Sequence, residues 1–215
     1  MDLIVTACRA LANRNRLRLL RAIHAQPGVT AHALATTTAL PAESVSKHLK
    51  LLVGLRLVAA RPQGRCVHYA PPQPRATSHP FLRDLQFLTQ DLFCATPSKS
   101  TLGQVWNETP ASGAASEQAL MKLFTTYTHL RRLLLLRQLL RHGPCSTAQL
   151  IAGVGISNQA VHRQLRKLQR RGAVTVTEKI PVLWQLARPV GCACQRQLLD
   201  DVLRALAAKS KVAAS

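Results

Sequence analysis

Acids are scarce in this chain. Only 9 Asp and Glu stand against 29 Lys and Arg in 215 residues, which leaves a net charge of +20. So few carboxylates supply paired-acid or two-metal chemistry poorly. Aromatic residues make up 4%, too few for the platforms on which single-strand and RNA binders stack bases. The longest apolar stretch, "LRRLLLLRQLLRH", is broken by Arg131, Arg132, Arg137 and Arg141 and cannot cross a bilayer. The opening "MDLIVTACRALANRN" begins with an acid and lacks a basic leader region, so no signal peptide is expected. A Gly-rich phosphate loop and a nucleophile elbow are also missing. The chain is therefore expected to be no enzyme and to need no cofactor. Cys8, Cys66, Cys94, Cys145, Cys192 and Cys194 follow neither a zinc-finger spacing nor a small-domain disulfide pattern. Reduced thiols and a cytoplasmic location are the expectation.

What is present is positive charge, and it is concentrated. Residues 1–75 carry eleven cations and two acids, and residues 126–190 eleven cations and one acid. Between them, residues 76–125 carry three cations and four acids. A surplus of this kind gathers polyanions, and counterion release favours nucleic acid. With aromatics so few, the polyanion expected is double-stranded DNA. No membrane partner is expected.

The two basic regions share an apolar ruler. "SVSKHLKLLVGLRLV" at 44–58 and "AVHRQLRKLQRRGAV" at 160–174 place Val45, Leu49, Leu52 and Val58 against Val161, Leu165, Leu168 and Val174. The same separation of 116 residues carries Arg16-Leu17 onto Arg132-Leu133, Leu19-Leu20-Arg21 onto Leu135-Leu136-Arg137, and Leu34 onto Leu150. One register held over more than forty positions marks a tandem domain, and two copies are too few for a solenoid. Each copy reads helix, helix, turn, helix, strand, strand. Asn13, Thr30, Ser146 and Ser157 are placed to cap helices, and Pro41 to open one in its first turn. Gln26-Pro27-Gly28 and Gly143-Pro144 stop the preceding helices. "LVAARPQGRCVHYAP" alternates and turns at Gln63-Gly64, a β-hairpin pattern.

Three helices followed by a hairpin describe a winged helix-turn-helix. "ALANRNRLRLLRAI", "SVSKHLKLLVGLRLV" and "RPQGRCVHY" together resemble the ArsR family of bacterial and archaeal regulators. Residues 8–70 cover one whole family domain, and residues 117–187 look like a more diverged second copy. The resemblance implies an operator-binding repressor whose domains pair through their first and last helices. Fused copies then imply a pseudo-dimer within one chain, with room for a further homodimer. The expected architecture is mainly α with small β-hairpins: a first winged domain at 1–94, a linker at 95–116 and a second winged domain at 117–215. "HPFLRDLQFLTQDLF" (79–93) and "CQRQLLDDVLRALAAK" (194–209) stand where the family's last helix would, with apolar spacing of three and four suited to pairing. The Pro-, Ser- and Thr-rich stretch around Trp106 reads as linker.

A turn of about 100° per residue places Val45, Leu49 and Leu52 on one inward side of their helix. Ser44, Ser46, Lys47, Lys50 and Glu43 are left on the outer surface. In the second copy Val161, Leu165 and Leu168 point inward, and Asn158, Gln159, His162, Arg163, Arg166 and Arg170 are the outward set. Lys and Arg suit guanine, Gln suits adenine, and hydroxyls take phosphate or base edges. His48 lies beside the core stripe and reads as packing. Arg61 and Arg65 flank the first wing's tip and can lie on phosphates or in the minor groove. The second wing offers Glu178, Lys179 and Pro181 and is expected to grip less. Two such helices in successive major grooves stand about 34 Å apart, so an asymmetric operator of two half-sites is expected.

Many ArsR-family proteins sense metal through a cysteine pair in the helix before the recognition helix. "AHALATTTA" holds none, and His32 alone makes no site. In the last helix of the first copy, His79, Asp84 and Asp91 form only a loose set. Cys94, Cys192 and Cys194 remain candidates for soft-metal or disulfide chemistry. Two other readings therefore stay open: a thiol- or metal-responsive regulator, and an adaptor whose basic surface meets an acidic protein.

Overall fold

The structure is a computed structural model that describes residues 1–73, 77, 79–93, 113–177, 180–187 and 193–211. Among these residues the chain forms ten helices and five short strands. They fall into two compact units: Ala7–Lys122, and Leu123–Ser215 together with Met1–Thr6.

The N-terminal unit is built from the part of α1 (Asp2–Leu11) that follows Thr6, with α2 (Arg14–Ala25), β1 (Val29–Thr30), α3 (Ala31–Thr38), α4 (Ala42–Gly54), β2 (Ala59–Gln63), β3 (Cys66–Ala70) and α5 (Pro80–Phe93). Asn13 caps α2 by accepting from the Arg16 amide at 3.1 Å, and Thr30 caps α3 by accepting from Ala33 at 3.3 Å. Pro41 stands one position earlier than expected: it occupies the cap of α4, with no side-chain cap bond. Leu17, Leu20, Ile23, Leu34, Val45, Leu49 and Leu52 are fully buried, and Phe81 and Leu85 of α5 close the same core. Truncating one such leucine to alanine costs about 2–5 kcal/mol. The strands form one antiparallel sheet in the order β1-β3-β2. Gln63 pairs with Cys66, so the two turn residues are Gly64 and Arg65, one step beyond the expected Gln63-Gly64. Gly64 supplies the positive φ of +58° that this tight turn requires.

The C-terminal unit repeats the plan with α7 (Leu130–His142), α8 (Thr147–Val154), α9 (Asn158–Arg170), β4 (Val174–Val176), β5 (Trp184–Leu186) and α10 (Ala193–Lys211). Ser146 and Gln149 form a reciprocal capping box on α8, and Ser157 caps α9 by accepting from Ala160 at 3.4 Å. The paired helices of the two units start and end 116 residues apart, α3 against α8 and α4 against α9. The third strand of the wing shrinks here to a single bridge between Cys145 and Trp184. Between the units in sequence, α6 (Gly113–Thr125) begins inside the stretch 95–116 expected to be linker. Its residues up to Lys122 belong to the N-terminal unit.

Non-local bonds fix the helices in matching ways. Arg16 of α2 donates from Nη2 to the Arg9 carbonyl at 2.9 Å, and Arg132 of α7 donates from Nη1 to the Thr125 carbonyl at 2.7 Å. Burial pushes both guanidiniums below the usual arginine range. The last helices dock alike as well. Gln86 Nε2 of α5 donates to the Arg56 carbonyl, and Gln195 Nε2 of α10 donates to the Arg171 carbonyl, each at 2.6 Å. One device belongs to the N-terminal unit alone. Glu117 of α6 is buried at 4% exposure and accepts from Arg14 at 2.9 Å, with Arg18 at 3.4 Å and Arg21 at 3.5 Å. Spaced by four and three residues, those arginines form one stripe of α2. They hold a helix and do not swell the basic face.

Candidate nucleic-acid interface

In each unit two helices joined by a short turn present the second of the pair outward. A left-handed backbone position follows each of these four helices. Ala39 follows α3 at φ +54°, Gly155 follows α8 at +66°, and Arg56 and Gly172 follow α4 and α9 at +58° and +67°. A helix of thirteen residues spans about 20 Å, enough to lie along a major groove.

On α4 the expected division holds. Val45, Leu49 and Leu52 are buried, whereas Ser46, Lys47 and Lys50 are exposed and Ser44 is half-buried. Lys47 is engaged: its Nζ donates to Glu43 Oε1 at 2.7 Å, with the two side chains 74% and 80% exposed. The Glu-to-Lys spacing of four residues is the sequence signal for this pair. His48 is half-buried, and burial together with the nearby Arg16 guanidinium lowers its pKa. Its half-buried place beside the stripe fits packing rather than base contact.

On α9 all six outward residues come together. Asn158, Gln159, His162, Arg163, Arg166 and Arg170 are exposed and line one open depression along the helix. Gln164, one turn before Leu168, is buried and belongs to the inner face. No carboxylate among the described residues pairs with Arg163, Arg166 or Arg170. Arg171, just past the helix, turns inward instead and donates to the Thr125 and Thr126 hydroxyls.

The wings diverge. Arg61 lies on β2 opposite His68, Arg65 occupies the turn itself, and both are exposed. His68 Nδ1 sits 2.6 Å from the Gly28 carbonyl and ties the wing to the end of the preceding turn. Glu178 and Lys179 of the second wing lie outside the described residues. Beside them Ile180 and Val182 are 94% and 59% exposed.

The described thiols form no cluster. Cys8 and Cys145 are buried, and burial pushes both thiols up, whereas Cys66 is exposed on β3. Cys94 and Cys192 lie outside the described residues, as does the side chain of Cys194. Among the described residues no group of three metal-binding side chains converges. No described helix is long and apolar enough to cross a membrane.

These geometries agree with what known families share with the chain. A model of the MarR family matches residues 13–65, and a helix-turn-helix domain model matches residues 127–177. The chain holds two helix-turn-helix domains. The first match runs from the cap of α2 to the wing turn, and the second from the end of α6 past β4. No curated protein and no solved structure matches the chain. Both matched domains are of the DNA-binding regulator type, which makes the outward faces of α4 and α9 the places to look for DNA contacts.

Proposed function

We propose that this chain is a sequence-specific, double-stranded-DNA-binding transcription regulator of ArsR-like kind that represses by occupying an asymmetric operator of two half-sites. The observation that carries the reading is the exposed face of α9. Six side chains able to contact bases or phosphates lie along one helix, none paired with a carboxylate among the described residues, and an apolar stripe holds the opposite side in the core. α4 offers a second outward face, one that sets Glu43 beside Lys47, and Arg61 and Arg65 add wing contacts to phosphate. In this reading Ser44, Ser46, Lys47, Lys50, Asn158, Gln159, His162, Arg163, Arg166 and Arg170 meet DNA, and the two domains act as a pseudo-dimer within one chain. The protein works in the cytoplasm on the nucleoid.

Electrostatics supplies affinity and base contacts supply choice. Fluorescence anisotropy with labelled duplexes over a range of salt separates them. Replacing Lys47 and Arg163 together by alanine is expected to weaken sequence preference sharply. Replacing Arg61 and Arg65 is expected to weaken every duplex about equally and to lower the salt slope by about 2. Failure of the intact chain to retain duplex DNA at low ionic strength overturns the proposal.

A further inference from the structure

We propose that Glu43 and Gln159, which stand at equivalent positions in the two domains, read different bases: cytosine through Glu43 and adenine through Gln159. The inference rests on the DNA-binding reading above and assigns base-choosing roles within it.

Glu43 is the one acid between Asp2 and Asp84. It sits in the first turn of α4, and the first turns of a recognition helix are those that meet base edges. Its carboxylate is 80% exposed and is held by Lys47 at 2.7 Å. A carboxylate facing a phosphate-lined groove repels the backbone, so it favours binding only where a base offers a donor. In the major groove cytosine N4 and adenine N6 are such donors, but adenine sets its N7 acceptor beside the amine, so cytosine suits a carboxylate better. Lys47 fixes the carboxylate, and its ammonium keeps two further N–H donors for the neighbouring guanine or phosphate.

The second domain supplies the contrast. A shift of 116 residues carries Glu43 onto Gln159 and Lys47 onto Arg163, and both counterparts are exposed on α9. An amide at this position both donates and accepts, which matches the N6 and N7 edge of adenine. The position therefore rejects as well as selects. A carboxylate opposite guanine O6 or thymine O4 sets acceptor against acceptor, and specificity of this sort depends on the repulsive element.

The experiment is selection of preferred sites from a random duplex pool by the full-length chain and by Glu43→Ala, Glu43→Gln and Gln159→Glu. Circular dichroism of each variant confirms folding, which the exposure of both side chains favours. The intact chain is expected to fix one cytosine in one half-site and one adenine at the corresponding place in the other. Glu43→Ala erases the cytosine preference, with at least about a tenfold fall in discrimination, while random duplexes bind more tightly. Glu43→Gln moves that position to adenine, and Gln159→Glu moves its counterpart to cytosine. If Glu43→Ala tightens every duplex and leaves all base preferences unchanged, Glu43 is only a brake on affinity and the inference is overturned. An intact chain that binds duplex but enriches no sequence overturns it too. A chain that retains no duplex at all fails the broader proposal first.

Discussion

The N-terminal and C-terminal domains share a core and differ on their faces. Val45, Leu49 and Leu52 are as deeply buried as Val161, Leu165 and Leu168, because a one-methylene change in a close-packed interior is felt at once. The outward residues carry no such constraint. α4 sets an acid beside its lysine and is followed by an arginine-bearing wing. α9 carries arginines without an acid and is followed by a wing whose described tip residues, Ile180 and Val182, are apolar. The scaffold is alike in the two domains and the outward faces are not. The largest expected effect tests that difference. Arg163→Ala with Arg166→Ala should lower duplex affinity about a hundredfold at moderate salt, whereas Lys47→Ala with Lys50→Ala should lower it about tenfold, since Lys47 is already part-neutralised. Anisotropy titrations at one ionic strength measure both. Equal losses would mean that the two helices contribute alike.

A second difference lies inside the fold. His24 of α2 has its Nε2 buried without a hydrogen-bond partner among the described residues, and its ring centroid lies 5.7 Å from that of Phe93. Burial pushes its pKa down from 6.5 to about 4. At the equivalent place the C-terminal domain has Leu140, which cannot titrate. Between pH 6.5 and 4 the unfolded chain binds a proton at His24 that the folded chain does not. Stability contributed by the neutral ring is thus complete above pH 6.5 and is lost as pH falls toward 4. The loss should reach roughly 2 kcal/mol, allowing for screening at a partly exposed edge. Urea unfolding of the full chain at pH 7 and pH 4.5 should show this loss in the wild type and a much smaller one in His24→Leu. Parallel losses in both proteins would assign the acid sensitivity to other groups.

Local signals were legible in the sequence and distant partnerships were not. Asn13, Thr30, Ser146 and Ser157 cap helices as expected because a cap bonds to an amide only three residues on. The inward stripes followed from helical periodicity, and with them the outward sets on α4 and α9. Arg16 and Arg132 share the repeat register, but nothing in it shows that each bonds a carbonyl of the helix before it. Nothing near Glu117 in sequence points to Arg14, 103 residues away. Gln86 and Gln195 escaped the repeat for a related reason. Their bonds are similar, each to a carbonyl just past the recognition helix, but the segment joining wing to last helix differs in length between the domains, so the common register fails there. The start of α6 at Gly113 was hidden by a composition rich in small residues, which suits a linker and a helix end equally.

The smallest expected effect is also the cleanest exchange between the domains. The residue after the third helix must adopt a left-handed backbone for the chain to turn into the recognition helix. Gly155 does this at φ +66° and Ala39 at +54°. A Cβ in that conformation crowds the following carbonyl, and glycine has none. Ala39 is exposed, so removing its methyl group costs no core packing. A Cβ added at Gly155 would meet no atom within 4 Å, so strain alone decides the outcome there. Ala39→Gly should therefore stabilise the chain, and Gly155→Ala destabilise it, each by about 1 kcal/mol once the greater freedom of glycine in the unfolded chain is counted. Urea midpoints with unchanged slopes measure both changes. Opposite signs of similar size would show that the two turns are interchangeable. A Gly155→Ala loss without an Ala39→Gly gain would show that the N-terminal turn has adapted to its alanine.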